Sequence, residues 1–371
     1  MFLYDPLTMI ALFVAYIVGF IVLQLIAMKI APRVASSLSG RFSLYSAMAL
    51  TALIIVVGGG IAIYLIYMAT LNLGYSLSLG YLVVFIIVIN IITYVLSPWM
   101  INLMYGARPD PELQRLVDEA ARRAGLSNPP KAVVVEGPPN AFAYGNFLSG
   151  KYVAVSTEML RITDKEELMA VIGHELGHHK HKDTVILLLL GIVPSILYYL
   201  GVSLIRIGLW TGGSRDRDRE GGGGLYLALL GIAAVILSLI IQVIVLAFSR
   251  LREYYADAHG AKIAGSRNMQ RALAKLHLYY EAYEGPKLQV ENSKLRTLFI
   301  YALTETLAHP FYVYYEPRRR KRRVSWENID YVIETLKKKP VDPSQEIFSS
   351  HPPIPKRLRF LDKLRLSEIN P

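Results

Sequence analysis

The sequence predicts a polytopic α-helical membrane protein that carries a small α+β domain. Hydrophobic residues make up 53% of the 371 residues and charged residues only 19%, a balance typical of membrane proteins. Several charge-free runs are long enough to cross a hydrocarbon layer of roughly 30 Å as helices. Between these runs the chain changes abruptly to the mixed composition of a soluble domain, and this change locates the α+β part.

The first 105 residues are predicted to form three membrane spans, at about residues 7–28, 46–69 and 79–103. The first of these runs contains no charged residue. No Asp, Glu, Lys, Arg or His occurs from Phe42 to Ala107, which leaves room for two helices of about 20 residues each. A cleaved signal peptide would begin with a basic leader, so the first span is expected to be retained.

Residues 106–183 are predicted to form the first part of the α+β domain. The stretch Pro109–Glu112 has the composition of a helix start. Two strands are predicted at Lys131–Glu136 and Lys151–Ser156, where β-branched and apolar residues follow turn signals. Asp164 is expected to cap the helix that follows, because Asp is a favoured N-cap residue.

Residues 184–249 are predicted to form a transmembrane hairpin with spans at about 184–206 and 225–249, and residues 250–371 the second part of the domain. The connector between the first two spans is basic, whereas the connector at 70–78 is uncharged. Because Lys and Arg in short connectors are retained on the cytoplasmic side, both parts of the domain are expected in the cytoplasm. The sequence therefore predicts a multi-pass protein of the plasma membrane.

Composition also excludes several kinds of site and partner. The chain has no Cys, which rules out disulfides and thiolate metal sites and leaves imidazole and carboxylate as the strong metal ligands. The formal net charge of +11 is explained by Lys and Arg retained on the cytoplasmic side. Nucleic-acid binding is therefore not expected.

The stretch around which the domain is organised is His174–Glu175–Leu176–Gly177–His178. On a helix His174 and His178 lie four positions apart, so both imidazoles can bind one divalent metal ion. Glu175 projects from an adjacent part of the helix, where it can activate a water without occupying a coordination position. The alternative is a solvated helix face that happens to be rich in His.

A third ligand is available directly after the last predicted span. Glu253 and Asp257 lie four positions apart, and the predicted topology puts them on the same side of the membrane as His174. A catalytic zinc site needs three protein ligands and one open position, so Glu253 would complete a His2Glu set for one Zn²⁺ per chain. Asp257 could then accept a hydrogen bond from the other nitrogen of a ligand imidazole. Taken alone, such a pair of carboxylates would usually be solvated.

Together with the spans, the segments His174–His178 and Glu253–Asp257 resemble the HtpX-type membrane zinc endopeptidases, which are relatives of the type I CAAX prenyl proteases. The resemblance implies a zincin-like (gluzincin) catalytic domain. Asn140, Ala141, Phe142 and Ala143 are similar to a family segment, which implies an edge strand that holds the substrate backbone. His351 and Arg357 are similar to a C-terminal family motif, which implies that one of them stabilises the developing oxyanion.

The expected function is zinc-dependent cleavage of peptide bonds at the cytoplasmic membrane surface. The resemblance implies substrates among damaged or misfolded membrane proteins. A CAAX-type prenyl-peptide protease remains an alternative with the same chemistry, and a metal-binding receptor or transporter is an alternative without catalysis. Against transport, the predicted spans lack the ionisable residues that mark a transport path.

Two remaining features have weaker interpretations. His179, His181 and His259 lie off the ligand spacing and are expected to face solvent. The run Arg318–Arg323 is either a solvated loop, which is favoured, or an attachment site for anionic lipid.

Overall fold

A computed structural model describes residues 41–71, 76–212, 223–282, 328–341 and 349–369. The first predicted span, at 7–28, and the basic run Arg318–Arg323 lie outside these residues. The chain divides into two compact units. One comprises the apolar helices up to Ile89 together with Leu189–Phe248, and the other comprises Asn90–Leu188 together with the chain from Ser249 onward.

Four of the described helices are long and apolar enough to cross a membrane. They are α1 (Arg41–Leu71), α2 (Ser76–Met104), α6 (Asp183–Gly212) and α7 (Gly223–Ala264). These correspond to four of the five predicted spans, and each helix extends beyond its predicted limits. The difference is largest for α7, whose 42 residues measure about 63 Å at about 1.5 Å per residue. Only part of α7 can therefore lie within the hydrocarbon layer.

Within the first unit, α6 and α7 touch through their backbones. A Cβ atom added to Gly201 would lie 2.7 Å from the carbonyl oxygen of Gly231, and one added to Gly231 would lie 2.5 Å from the carbonyl oxygen of Gly201. Small residues allow such close packing between membrane helices, where dispersion contacts provide much of the attraction. The two glycines thus fix the crossing of the hairpin.

The second unit contains a four-stranded sheet. Its strands are β1 (Arg108–Pro109), β2 (Lys131–Val135), β3 (Ala141–Asn146) and β4 (Gly150–Ser156), in the order β1-β2-β4-β3. Strands β2 and β4 are parallel, and β3 and β4 form an antiparallel hairpin. In the described part of the chain β3 is therefore an edge strand, and both strands predicted from the sequence are present.

Side chains point alternately to the two faces of the sheet. Each face is covered by helices, so both faces are buried. Ala132 and Val153 face the helices α3 (Pro111–Arg123), α4 (Thr157–Ile162) and α5 (Lys165–Lys180). Val133 and Ala154 face the last turns of α2, where Ile101 is fully buried. Asp110 caps α3 by accepting a hydrogen bond from the backbone N–H of Leu113 at 2.7 Å, which confirms the predicted helix start.

Three further helices of the second unit are described: α8 (Ser266–Ala282), α9 (Ile329–Lys338) and α10 (Ile354–Ile369). Their apolar faces form a core around Ile333 and Leu358, which Ala170 of α5 joins. Below this core the buried carboxylate of Glu167 accepts a hydrogen bond from Lys275 Nζ at 2.5 Å. Helix α5 is therefore packed between the sheet and α8, which fixes the position of the motif it carries.

Candidate metal centre

The helix that carries the His174–His178 motif is capped as predicted. Asp164 Oδ1 accepts a hydrogen bond from the backbone N–H of Glu167 at 2.9 Å, and Glu167 Oε2 accepts one from the backbone N–H of Asp164 at 3.0 Å. This reciprocal capping box satisfies donors that a helix start leaves without partners. Most of α5 is buried, including His174 and Glu175, so the motif is not on a solvated face.

Close contact between α5 and α7 brings the two sequence segments of the site together. A Cβ atom added to Gly177 would lie 3.2 Å from Cα of Ala256, and one added to Gly260 would lie 2.5 Å from the carbonyl oxygen of Ala170. The helices can approach this closely because glycine has no side chain at the crossing. Glu253 lies one to two turns before these residues on α7, and it therefore faces the motif.

Three possible ligand atoms converge at this crossing, one each from His174, His178 and Glu253, all within 4.8 Å of one another. The two Nε2 atoms of the histidines are 3.2 Å apart. Glu253 Oε2 lies 3.5 Å from Nε2 of His174, and Glu253 Oε1 lies 3.5 Å from Nε2 of His178. Ligand atoms about 2.0–2.2 Å from a tetrahedral divalent ion are about 3.3–3.6 Å from each other, so the separations fit such an ion.

The chemistry of the donor set agrees with the spacing. Glu253 Oε2 is buried and receives no hydrogen bond from any described residue, which is costly for a carboxylate oxygen unless a cation binds it. Imidazole nitrogen and carboxylate oxygen are common ligands of borderline divalent metals. His174, His178 and Glu253 are therefore suited to hold a metal ion.

The other nitrogen of each imidazole faces a carboxylate. His174 Nδ1 lies 3.0 Å from Asp257 Oδ1, and His178 Nδ1 lies 2.7 Å from Asp183 Oδ2. Such hydrogen bonds fix the tautomer that presents Nε2 to a metal. Asp257 was predicted from its helical spacing, but Asp183 was not. The chain turns back at Lys182, which has φ 55°, and no sequence pattern indicated this turn.

Arg357 and His351 occupy different positions at the site. Arg357 Nε and Nη2 donate to the two carboxylate oxygens of Asp257 at 2.8 and 2.5 Å, and Nη2 lies 3.7 Å from Glu253 Oε2. Burial opposes its charge, but Asp257 outweighs burial and raises the pKa of Arg357 above its usual value. His351 Nε2 lies 3.6 Å from Glu253 Oε2, and its side chain is 35% exposed. Of the two residues, His351 is the one that remains partly open to solvent.

Glu175 lies beside the ligand cluster and under the edge strand. Its carboxylate is buried, and the helix α5 that carries it packs against β3. Burial raises the pKa of Glu175, although His174 and His178 act in the opposite direction. A carboxylate with a raised pKa is a better proton acceptor than a solvated one.

The remaining residues predicted to bind substrate lie on or next to β3. The backbone N–H of Asn140 donates to Ser156 Oγ at 2.8 Å, and the carbonyl oxygen of Asn140 accepts from the backbone N–H of Ser156 at 2.9 Å. The side-chain Nδ2 of Asn140 is buried without a described hydrogen-bond acceptor. Ala141 and Ala143 are half-buried along the strand. The Phe142 side chain packs against Tyr144 in the core, with ring centroids 5.5 Å apart. Phe142 can therefore contact a peptide through its backbone only.

The expectation that the other nearby histidines face solvent is wrong for two of them. His179 and His259 are only 7% and 8% exposed. His179 Nε2 donates to the carbonyl oxygen of Tyr152 at 2.7 Å, and His259 Nδ1 donates to that of Gly173 at 3.2 Å. His181 is half-buried, with its ring against Tyr255. The prediction considered only the ligand spacing and ignored that α5 is buried on more than one face.

Comparison with known proteins identifies the family of the chain. Residues 107–365 match the sequence profile of peptidase family M48. The chain is 54% identical to "Protease HtpX homolog" of Pyrobaculum aerophilum, over 94% of this chain and 96% of the relative. It is 46% identical to "Protease HtpX homolog" of Archaeoglobus fulgidus, over 99% of each chain. The crystal structure of S. mikatae Ste24p is similar with 20% identity and a TM-score of 0.49, over 86% of this chain and 67% of that one.

Proposed function

Because the chain belongs to the HtpX-type membrane metalloproteases of peptidase family M48, we propose that its metal is zinc and that it cleaves internal peptide bonds of membrane proteins. The observation that carries the proposal is the convergence of His174, His178 and Glu253 beside the buried carboxylate of Glu175. Three protein ligands of these types are the usual set of a catalytic zinc site, in which the fourth position is left for water or substrate.

The reaction depends mainly on one acid–base residue of the chain. When bound, the metal ion polarises the scissile carbonyl and makes water more acidic. Glu175 accepts the proton from the attacking water and then donates it to the leaving amine. Burial raises the pKa of Glu175, which favours acceptance of the proton. Asp257 and Asp183 hold the two imidazoles in the orientation that directs Nε2 to the metal.

His351 is the better candidate for stabilising the negative charge that develops on the carbonyl oxygen. Its Nε2 lies near the ligand cluster, and its side chain is partly exposed. Arg357 instead makes two hydrogen bonds with Asp257, so its part is to compensate that buried carboxylate. Donors directed at a developing oxyanion lower the barrier by several kcal/mol, typically about 3.

The substrate is proposed to bind in an extended conformation along the free edge of β3. An edge strand presents backbone N–H and C=O groups that can pair with a peptide, and Asn140 offers an amide donor next to it. The packing of α5, which carries Glu175, against β3 supports a substrate path beside the reacting groups. Pairing through the backbone tolerates varied side chains, as cleavage of damaged proteins requires.

We further propose that residues 106–183 and 250–371 form one catalytic domain on the cytoplasmic side of the plasma membrane. The basic connector before residue 42 and the uncharged connector at 70–78 support this orientation. Misfolded membrane proteins that expose extended segments at that surface would then be the substrates, and the protease would act in quality control.

The decisive variant is Glu175→Gln in detergent-purified protein. We expect it to keep its zinc and lose cleavage of a casein substrate, because the amide cannot accept the proton. Glu166→Gln is the matched control, since Glu166 is an exposed residue of the same helix and should leave cleavage unchanged. Full cleavage by Glu175→Gln, or zinc below one ion per chain in the parent protein, would refute the proposed mechanism.

A further inference from the structure

We propose that the turn between β3 and β4 is immersed in the lipid bilayer, with Phe147 and Leu148 in contact with acyl chains. This turn carries two large apolar side chains where hairpin turns usually carry small or polar ones. Phe147 is 79% exposed and Leu148 is 59% exposed. The proposal concerns how the sheet is attached to the membrane, and it does not depend on the reaction that the site performs.

Hydrogen bonds attach this turn to the membrane helix α2. The side-chain Nδ2 of Asn146 donates to the carbonyl oxygens of Tyr94 and Val95, at 3.0 and 2.8 Å. Asn146 is itself buried, whereas the two residues that follow it are exposed. The turn is therefore held at the height of Tyr94 and Val95 along the helix.

That height lies within the hydrocarbon layer. A helix needs about 20 residues to cross this layer, and α2 extends from Ser76 to Met104. The earliest stretch of about 20 residues within α2 ends at Val95, and the latest begins at residue 85. Every possible crossing segment of this helix therefore includes both Tyr94 and Val95, and the side chains next to Asn146 lie at the depth of lipid.

Pro98 explains why the helix can accept these hydrogen bonds. Proline has no backbone N–H, so the carbonyl oxygen of Tyr94, four residues earlier, lacks its usual helical donor. Asn146 Nδ2 and Ser97 Oγ both donate to this oxygen. A carbonyl that Pro98 leaves without its helical donor is thus satisfied by side chains, and it becomes an attachment point of the hairpin.

Several backbone N–H groups of the turn are also paired within the protein, as a lipid environment requires. Asn146 Oδ1 accepts hydrogen bonds from the backbone N–H groups of Leu148 and Ser149, each at 2.9 Å. The backbone N–H of Asn146 donates to Ser149 Oγ at 3.3 Å. Irregular backbone is tolerated at membrane depth only when its polar groups are paired in this way. The polar atoms of Asn146 are thus turned inward, and its apolar neighbours are turned outward.

The surface around the turn has the same character. The last turns of α2 expose Trp99, Leu103 and Met104 by 49%, 84% and 61%, on a helix that is apolar enough to span the membrane. Tyr144 of β3 also donates a hydrogen bond to Asn102 Oδ1 on these turns. The exposed side chains of the turn are therefore attached to a helix whose exposed residues would face lipid if it spans the membrane, and lipid is the occupant that this arrangement favours.

The chain contains no Cys, so one introduced thiol can be labelled uniquely. The test uses full-length Phe147→Cys labelled with bimane, in nanodiscs of phosphatidylcholine with or without bromine on the acyl chains. Tyr331→Cys is the matched control, because Tyr331 is an aromatic residue of α9 with a similar exposure of 74%. Unchanged metal content and thermal stability of each variant establish that it is folded.

We expect brominated lipid to quench bimane at position 147 and aqueous iodide to leave it unaffected, with the reverse at position 331. Quenching by iodide at both positions would overturn the proposal, since the turn would then face water. Protection from both quenchers would overturn it as well, because the turn would then be covered by protein, either a second copy or a segment such as residues 7–28. Leu148→Cys provides an independent repeat with the same two criteria.

Discussion

Asp183 Oδ2 lies 2.7 Å from Nδ1 of His178, across the turn that separates helices α5 and α6. The carboxylate is buried, and the side chain of Arg252 lies 3.8 Å from the same oxygen. Asp183 thereby holds the imidazole of His178 at Nδ1, while Nε2 of the same ring faces Glu253. Asp183 is therefore a positioning residue for His178, a proposed metal ligand. Asp183 itself contributes no ligand atom.

Replacing Asp183 by Asn should weaken metal binding. The amide can still form a hydrogen bond, but it no longer increases the basicity of the imidazole, and loss of such a partner typically costs about 10–100-fold in affinity. The measurement is competition with a chromophoric chelator, with Asp330→Asn as control because Asp330 is an exposed carboxylate of α9. An unchanged affinity in the Asp183 variant would mean that the contact does not orient His178.

Replacing Glu253 by Ala should abolish stoichiometric metal binding. The variant leaves two imidazoles and removes the one carboxylate that faces both of them at 3.5 Å. Metal analysis of purified protein is the measurement. Glu158→Ala on α4 is the control, since among the described residues that carboxylate pairs with Arg161 at the surface. Retention of one metal ion per chain would show that Glu253 is not the third ligand.

Replacing Gly260 by Ala should destabilise the protein and weaken metal binding together. The added Cβ would lie 2.5 Å from the carbonyl oxygen of Ala170, so α5 and α7 must move apart, and overpacking of this kind costs about 1–3 kcal/mol. Gly60→Ala is the control, because a Cβ added at this position of α1 meets no atom within 4 Å. Thermal unfolding and metal titration would contradict the packing argument if both variants behaved like the parent.

The stability of the protein should decrease as the pH is lowered through the range in which His179 is protonated in the unfolded chain only. Burial, followed by the charge of Lys151, lowers the pKa of His179 to about 4, although its hydrogen bond to Tyr152 opposes this change. Its ordinary pKa is about 6.5, so between about pH 4 and 6.5 the unfolded chain binds more protons than the folded one. Stability is therefore lost as the pH decreases through this window.

His179→Gln isolates this contribution because glutamine keeps a donor for the Tyr152 carbonyl without titrating. We expect the stability of the variant relative to the parent to increase as the pH is lowered, measured by thermal unfolding in detergent. A difference between the two proteins that stays constant from about pH 7.5 to 4.5 would show that His179 is not the responsible group.

Local rules predicted much of the fold from the sequence. Asp164 caps its helix as expected, and α3 starts within the predicted stretch Pro109–Glu112. Both strands lie where their β-branched residues and turn signals indicated. The membrane helices exceed their predicted limits because helix continues beyond the apolar run, as in α7, which reaches Ala264. Hydrophobic periodicity and charge predict where the apolar segments lie. They do not predict at which residue the helical backbone hydrogen bonds end.

The sequence singled out the three residues that converge at the candidate site, but it singled out fewer of the residues that surround them. The spacing of His174 and His178 is a property of one helix, so it could be recognised without the fold. Asp183 depends on a turn at Lys182 with positive φ, which no local signal encodes. The burial of His179 and His259 depends on neighbours from the sheet and from α5, which only the assembled domain supplies.

The pairing of Asp257 with Arg357 joins residues 100 positions apart. During translation the carboxylate at 257 therefore leaves the ribosome long before the guanidinium that neutralises it. A chain that ends before residue 357 would bury the Asp257 carboxylate next to His174 without this guanidinium. Removing one partner of a buried ion pair is strongly destabilising, so the last helix contributes to the stability of the site although it supplies no proposed ligand.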